Sequence, residues 1–129
     1  MSYLLDTCAL FALTESGRAL SAPTRRLIEA PHSEVWISAI SAFEIAQKHH
    51  HGRLTLPLPP EVWFRAVLEQ HQVQELPLTS TIGALAAALP PIHRDPFDRL
   101  ILATALNHQL TIITSYQIIQ NYPGIRTLW

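Results

Sequence analysis

The sequence predicts an α/β fold, a parallel sheet covered by helices on both faces. Three observations carry this expectation. Short, continuously apolar runs such as "SYLL" and "LTIIT" are what strands buried on both faces look like. Helical stretches alternate with these runs along the whole chain. No internal repeat, low-complexity tract or interdomain linker interrupts the alternation, so residues 1–129 read as one domain.

Each element follows from its residues. Ser2 to Leu5 form a buried strand ending at Asp6. "TCALFALTE" is helical. "SGRALSAPTRRLIEA" is a turn and then a helix with Pro23 in its first turn. "EVWIS", with β-branched and aromatic residues, is the second strand. "AISAFEIAQKHHHG" is a helix that stops at Gly52. "RLTLPLPP" is an extended linker in which Pro57, Pro59 and Pro60 exclude helix. "EVWFRAVLEQH" is an amphipathic helix, "VQELPL" holds a short strand, and "TSTIGALAAAL" is an Ala-rich helix. "PPIHRD" is a loop before the helix "PFDRLILATALNHQ". "LTIIT" is a strand, "SYQIIQNY" a short helix and "IRTLW" a last strand.

Composition narrows the function classes. With 48% hydrophobic and 15% charged residues, the chain is a well-filled globular protein. A chain of this length can bury roughly 68% of its unfolded surface. The formal net charge of −1 gives no global basic field for tight DNA binding, though it leaves room for an enzyme acting on a short stretch of nucleic acid. Cys8 is the only cysteine, so no disulfide framework exists within the chain, and it reads as a small buried residue. The N-terminus lacks the basic region of a signal peptide and no segment spans a bilayer, so a cytoplasmic protein is expected.

In open parallel sheets, sites form at the carboxyl ends of strands near a switch in strand order. The residues at those positions include carboxylates. Asp6 follows the first strand, where it would cap a helix or face a site. Glu44 has two readings. Ser41 and Glu44 fit a capping box; alternatively Ser38 caps, and Glu44 lies inside the helix beside a buried face of Ile40, Phe43 and Ala46. Asp95, Pro96 and Asp98 fit the cap, first and third positions of a helix start, where the dipole favours negative charge. Together the four acids would meet in one cleft. Their mutual repulsion calls for protons or a divalent cation. Hard oxygen donors point to Mg²⁺ or Mn²⁺, and such a cleft suits phosphate-ester chemistry.

The segments "YLLDT", "ISAISAFEIAQK" and "HRDPFDRLILATAL" resemble PIN-domain ribonucleases, specifically VapC-type toxins of bacterial toxin–antitoxin pairs. The resemblance runs over essentially the whole chain. It implies a three-layer α/β/α sandwich and a Mg²⁺- or Mn²⁺-dependent endoribonuclease, with RNA as substrate, a cognate antitoxin as partner and a homodimer as assembly. By position it makes Asp6, Glu44 and Asp98 the acidic metal-binding and catalytic residues. Asp95 matches a further aspartate of the "DPFDR" subgroup, and Thr7 a small hydroxyl residue beside the first acid. One departure stands out. Tyr116 occupies a place near the fourth strand where many members carry an acid or amide, and a phenol is a poor Mg²⁺ ligand. Asp95 is a candidate substitute; otherwise a catalytically silent PIN-like binding module is the alternative.

A signalling receiver domain would share the acidic Mg²⁺ pocket. It needs a lysine after a late strand and an aspartate after a middle one. Here Lys48 is the only lysine, and no aspartate lies between residues 7 and 94. Lys48 stands four residues past Glu44 and would pair with it or meet the scissile phosphate. His49, His50 and His51 point about 100° apart around a helix and cannot share one ion. Arg94 and Arg99 flank the acidic pair, as salt-bridge partners or as RNA-backbone contacts. Arg25 and Arg26 read as solvated, Trp36 and Trp63 as core, and Trp129 as closing the sheet edge or packing at a dimer contact.

Overall fold

A computed structural model describes residues 1–129. Five strands are laid in parallel: β1 (Ser2–Leu5), β2 (Glu34–Ser38), β3 (Gln74–Leu76), β4 (Thr111–Ile113) and β5 (Thr127–Leu128), in the order β3-β2-β1-β4-β5. Seven helices connect them: α1 (Thr7–Leu13), α2 (Ala22–Glu29), α3 (Ala39–His50), α4 (Pro60–His71), α5 (Ser80–Ala88), α6 (Pro96–His108) and α7 (Gln117–Gln120). No helix is long and apolar enough to cross a membrane.

The alternation of strand side chains divides the core in two. Tyr3, Leu5, Val35, Ile37 and Ile113 point to one face. There they pack with Leu10 of α1, Ile28 of α2, Ile45 of α3 and Trp63, Phe64 and Val67 of α4. Leu4 and Ile112 point to the other, against Ile82 of α5, Ile101 and Leu102 of α6 and Ile119 of α7. This is the three-layer sandwich expected from the sequence. Trp63 is buried, Trp36 packs against the second cluster, and Trp129 packs against the first. The Trp129 oxygen accepts from the Ser21 and Thr24 hydroxyls at 2.6 and 2.9 Å, tying the last strand to the start of α2.

Three local expectations are corrected. Pro60 does not extend the linker but opens α4, because the first helical turn needs no amide donor and tolerates the proline ring. The fully buried positions of α3 are Ser41 and Ile45, four residues apart; of the expected face, Ile40 packs partly buried against the second cluster and Ala46 is half-buried, but Phe43 is not buried. Phe43 is 55% exposed and leans on Phe97, ring centroids 5.6 Å apart. Cys8 is exposed, because it lies on the face of α1 turned away from the core.

Helix α3 ends as its sequence suggests. Gly52 takes a φ of +72°, and the Gly52 and Arg53 amides donate to the His49 and Lys48 carbonyls in a Schellman ending. His49 Nδ1 lies 3.1 Å from the Leu54 oxygen, so this histidine is tied to its own loop. Arg25 pairs with Glu29 at 3.3 Å on the surface of α2.

Candidate active site

The chain leaves β1 toward β2 and β3 on one side and later returns to build β4 and β5 on the other. The carboxyl end of β1 is therefore the switch in strand order, where a crevice opens. In register, Leu5 sits between Ile37 and Ile113. The next residues, Asp6, Ser38 and Thr114, share one edge of the sheet. The Asp6 amide donates to the Ile113 carbonyl at 3.1 Å, which fixes where its side chain starts.

A cavity of about 370 Å³ lies at this edge. Its lining brings together all four acids singled out from the sequence, Asp6, Glu44, Asp95 and Asp98, with Thr7, Cys8, Ile101, Ser115 and Tyr116. A larger cavity, about 450 Å³, lies between α3 and α4 with Phe43, Phe64 and Leu68 in its wall, but it gathers no comparable set of acids.

Asp6 is buried, 4% exposed, and caps α1 by accepting from the Ala9 amide at 2.7 Å. Capping and facing the cleft are thus one arrangement, since a carboxylate has a second oxygen to offer. Glu44 lies inside α3, because Ser38 is the cap and accepts from the Ile40 amide. This excludes the capping box with Ser41, whose side chain is fully buried. The Thr7 hydroxyl donates to Glu44 Oε1 at 2.6 Å and contacts the Ser41 hydroxyl at 3.1 Å. Thr7 has one proton and an ionised Glu44 can only accept, so Ser41 supplies the proton of the second contact. Lys48 reaches Glu44 Oε2 at 3.2 Å.

Asp95 caps α6 by accepting from the Phe97 and Asp98 amides at 2.8 and 3.4 Å. Asp98, one turn in, meets His93 Nε2 at 2.6 Å. The sequence carries no signal for this role of His93, because a histidine five residues before an aspartate shows nothing until the loop folds back. Arg99 contradicts both readings offered for it. Its guanidinium donates to the carbonyls of Ala86, Ala87, Leu89, Pro90 and His93 at 2.7–3.3 Å. These carbonyls lie at the end of α5 and in the loop after it, where the helix leaves acceptors short of amide donors, and a cation suits that end of a helix. With its donors so engaged, Arg99 has none left for a carboxylate or a phosphate.

The electrostatics follow from burial. Desolvation pushes the Asp6 carboxyl from its ordinary 3.8 up to about 6, against the hydrogen bonds from Thr114 and Ala9; the charges of Asp98 and Glu44 add to the rise. Asp98 is raised for the same first reason, with Asp95 and Glu44 adding and the His93 contact opposing. Cys8, exposed but partly desolvated in the cleft wall, has its thiol pushed up by that desolvation and by the Asp6 charge.

The donors are hard oxygens, and a positive ion among them would offset the desolvation and mutual repulsion that raise Asp6 and Asp98. As placed, no three His, Cys, Asp or Glu side chains are set to hold one ion. Glu44 is turned to Thr7 and Lys48, and Asp98 to His93. Mg²⁺ keeps several waters and takes one or two carboxylates alongside a substrate phosphate. Asp6 and Asp98 fit that requirement in kind.

The PIN domain family matches residues 3–122. The chain belongs to this family. As a PIN domain it is 31% identical to ribonuclease VapC22 of Mycobacterium tuberculosis over 129 residues, spanning 98% of this chain and 97% of that one. Its fold matches VapBC2 from Rickettsia felis bound to a promoter DNA fragment (TM-score 0.71, 15% identity, 98% and 97% of the two chains). It also matches VapBC-1 from nontypeable Haemophilus influenzae (0.70, 18%, 98% and 96%) and a toxin–antitoxin complex from Klebsiella pneumoniae (0.65, 22%, 98% and 98%). In this PIN domain Tyr116 lies in the cleft wall, 40% exposed, at the place near β4 where the resemblance implied an acid or amide.

Proposed function

We propose that this PIN domain is a Mg²⁺- or Mn²⁺-dependent endoribonuclease that cleaves RNA phosphodiester bonds in the cytoplasm as the toxin of a toxin–antitoxin pair. The observation that carries the reading is the gathering of Asp6, Glu44, Asp95 and Asp98 at the switch point of the sheet. The ribonuclease named as a relative and the toxin–antitoxin complexes among the fold neighbours support it. On the same grounds a cognate antitoxin is the expected protein partner and a homodimer the expected assembly.

When bound, the cation would activate a water and offset charge building on the phosphate. Asp6 and Asp98 would hold it, with Glu44 and Asp95 at the margin. Thr7 orients Glu44 and His93 orients Asp98. Lys48, half exposed beside Glu44, supplies a positive charge at the rim toward which an RNA phosphate is drawn. No side-chain nucleophile is required.

The test is incubation of the purified protein with structured RNA, in Mg²⁺ and then with EDTA. Cleavage in Mg²⁺ that EDTA stops, and that Asp6→Asn abolishes, supports the reading. Equal cleavage by wild type and Asp6→Asn overturns the metal-site assignment. Calorimetric titration with Mn²⁺ separates the silent binding module, which takes up no ion.

A further inference from the structure

The aromatic groups at the cleft are not accounted for by metal and phosphate chemistry. Tyr116 stands just after β4 in the wall of the acidic cleft. Its segment has core residues, since Ile119 and Tyr122 are 0% and 4% exposed, yet Tyr116 keeps 40% of its surface open. The ring is held in place. His93 meets it edge-on, with centroids 5.5 Å apart and planes at 74°. The Tyr116 amide donates to Thr114 Oγ1 at 3.0 Å. His93 is itself pinned, by Asp98 through its ring and by Arg99 through its carbonyl. A flat apolar face fixed beside a phosphate-type site has little ordering entropy to lose on binding.

We propose that Tyr116, backed by His93, is a nucleobase-stacking subsite that takes an unstacked base of single-stranded or looped RNA. A nucleotide carries its base and its phosphate on one sugar, so the two must be recognised side by side, as the ring and the carboxylates are here. Sequence-specific RNA recognition uses unstacked bases laid on aromatic faces. An acid at this position would add a further negative charge to a cleft that already holds four carboxylates; the tyrosine instead offers a surface for a neutral ring. The subsite makes this chain prefer open RNA segments over continuous duplex. It rests on the ribonuclease reading.

The experiment uses single-stranded RNA oligonucleotides with 2-aminopurine walked along the sequence. Ca²⁺ replaces Mg²⁺, and gels confirm that the RNA stays intact. Wild type and Tyr116→Phe quench the fluorophore at one or more positions and bind with equal affinity by anisotropy. Tyr116→Leu, which keeps bulk without a π face, loses the quenching and binds about ten-fold more weakly, with circular dichroism confirming its fold. Wild-type quenching and affinity in Tyr116→Leu overturn the proposal, as does a Tyr116→Phe that behaves like leucine, and so does wild type that quenches no position. Cleavage in Mg²⁺ is scored separately. Quenching without cleavage would defeat the ribonuclease reading alone, and cleavage by wild type with a Tyr116→Leu variant that binds and quenches like wild type would defeat the subsite alone.

Discussion

His93 Nε2 lies 2.6 Å from Asp98 Oδ2, both side chains largely shielded from solvent. Burial raises the Asp98 carboxyl, and the hydrogen bond and charge of His93 hold it back. His93→Ala removes the opposing influence, so Asp98 titrates at a higher pH in the metal-free protein. His93→Gln keeps an N–H donor and gives a smaller rise. Carboxyl ¹³C chemical shifts followed against pH measure both; an unchanged Asp98 in His93→Ala would show that the contact carries no energy.

Asp6 gives the fold a definite pH dependence. Its folded carboxyl binds a proton up to about pH 6, whereas the unfolded one releases it near 3.8. Between those values the folded state holds more protons, so stability falls as pH rises from about 4 to 6 and the full cost remains at neutral pH. A rise from 3.8 to about 6 corresponds to on the order of 3 kcal/mol. Asp6→Asn keeps an acceptor for the Ala9 amide and removes the buried charge. The metal-free variant is expected to melt above wild type at pH 7 and to lose that advantage near pH 4. Equal melting curves at pH 7 would contradict it, and added Mn²⁺ should stabilise wild type only.

Much of this was legible in the sequence because it is local. β1 and β4 showed as apolar runs, and Asp6, Asp95 and Asp98 showed because a carboxylate at a helix start is both a cap and a ligand type; Glu44, inside α3, showed only once Ser38 is taken as the cap. What stayed hidden depends on packing between distant segments. The Arg99 acceptors come from the end of another helix, ten or more residues earlier for Ala86, Ala87 and Leu89. Phe43 looked like core because apolar periodicity does not say which stripe of α3 meets the sheet, and the stripe proved to contain a serine. Gln72 and Gln109 end α4 and α6 at φ +55° without the glycine that usually marks such a turn. Side-chain identity gave no sign of those left-handed residues.

Arg99 fastens the loop that carries His93. Arg99→Ala leaves the Ala86, Leu89 and His93 carbonyls without their charged donor. Hydrogen bonds to charged groups contribute about 1.5–3 kcal/mol each at most, and water re-solvates the exposed acceptors. A loss of about 2–3 kcal/mol is expected, measured by urea denaturation. Lysine lacks the planar fork and should recover little of it. Amide exchange in residues 89–95 should quicken in both variants; exchange confined to α6 itself would place the role of Arg99 elsewhere.

Thr7 tests whether Glu44 acts through its orientation. The Thr7 hydroxyl donates to Glu44 Oε1 at 2.6 Å while Ser41 supports it from behind. Thr7→Val preserves shape but frees Glu44 to swing toward Lys48 and leaves the buried Ser41 hydroxyl without this partner. Groups that orient a metal-site carboxylate are typically worth about 10–100-fold in affinity or activity. Cleavage by Thr7→Val is therefore expected to fall about ten-fold or more, with Thr7→Ser close to wild type because it restores the donor. The unpaired Ser41 also costs about 1–2 kcal/mol of stability, so rates are compared well below the melting transition. Full activity in Thr7→Val would mean that Glu44 needs no fixed orientation, and would leave Asp6 and Asp98 as the pair on which the cleft depends.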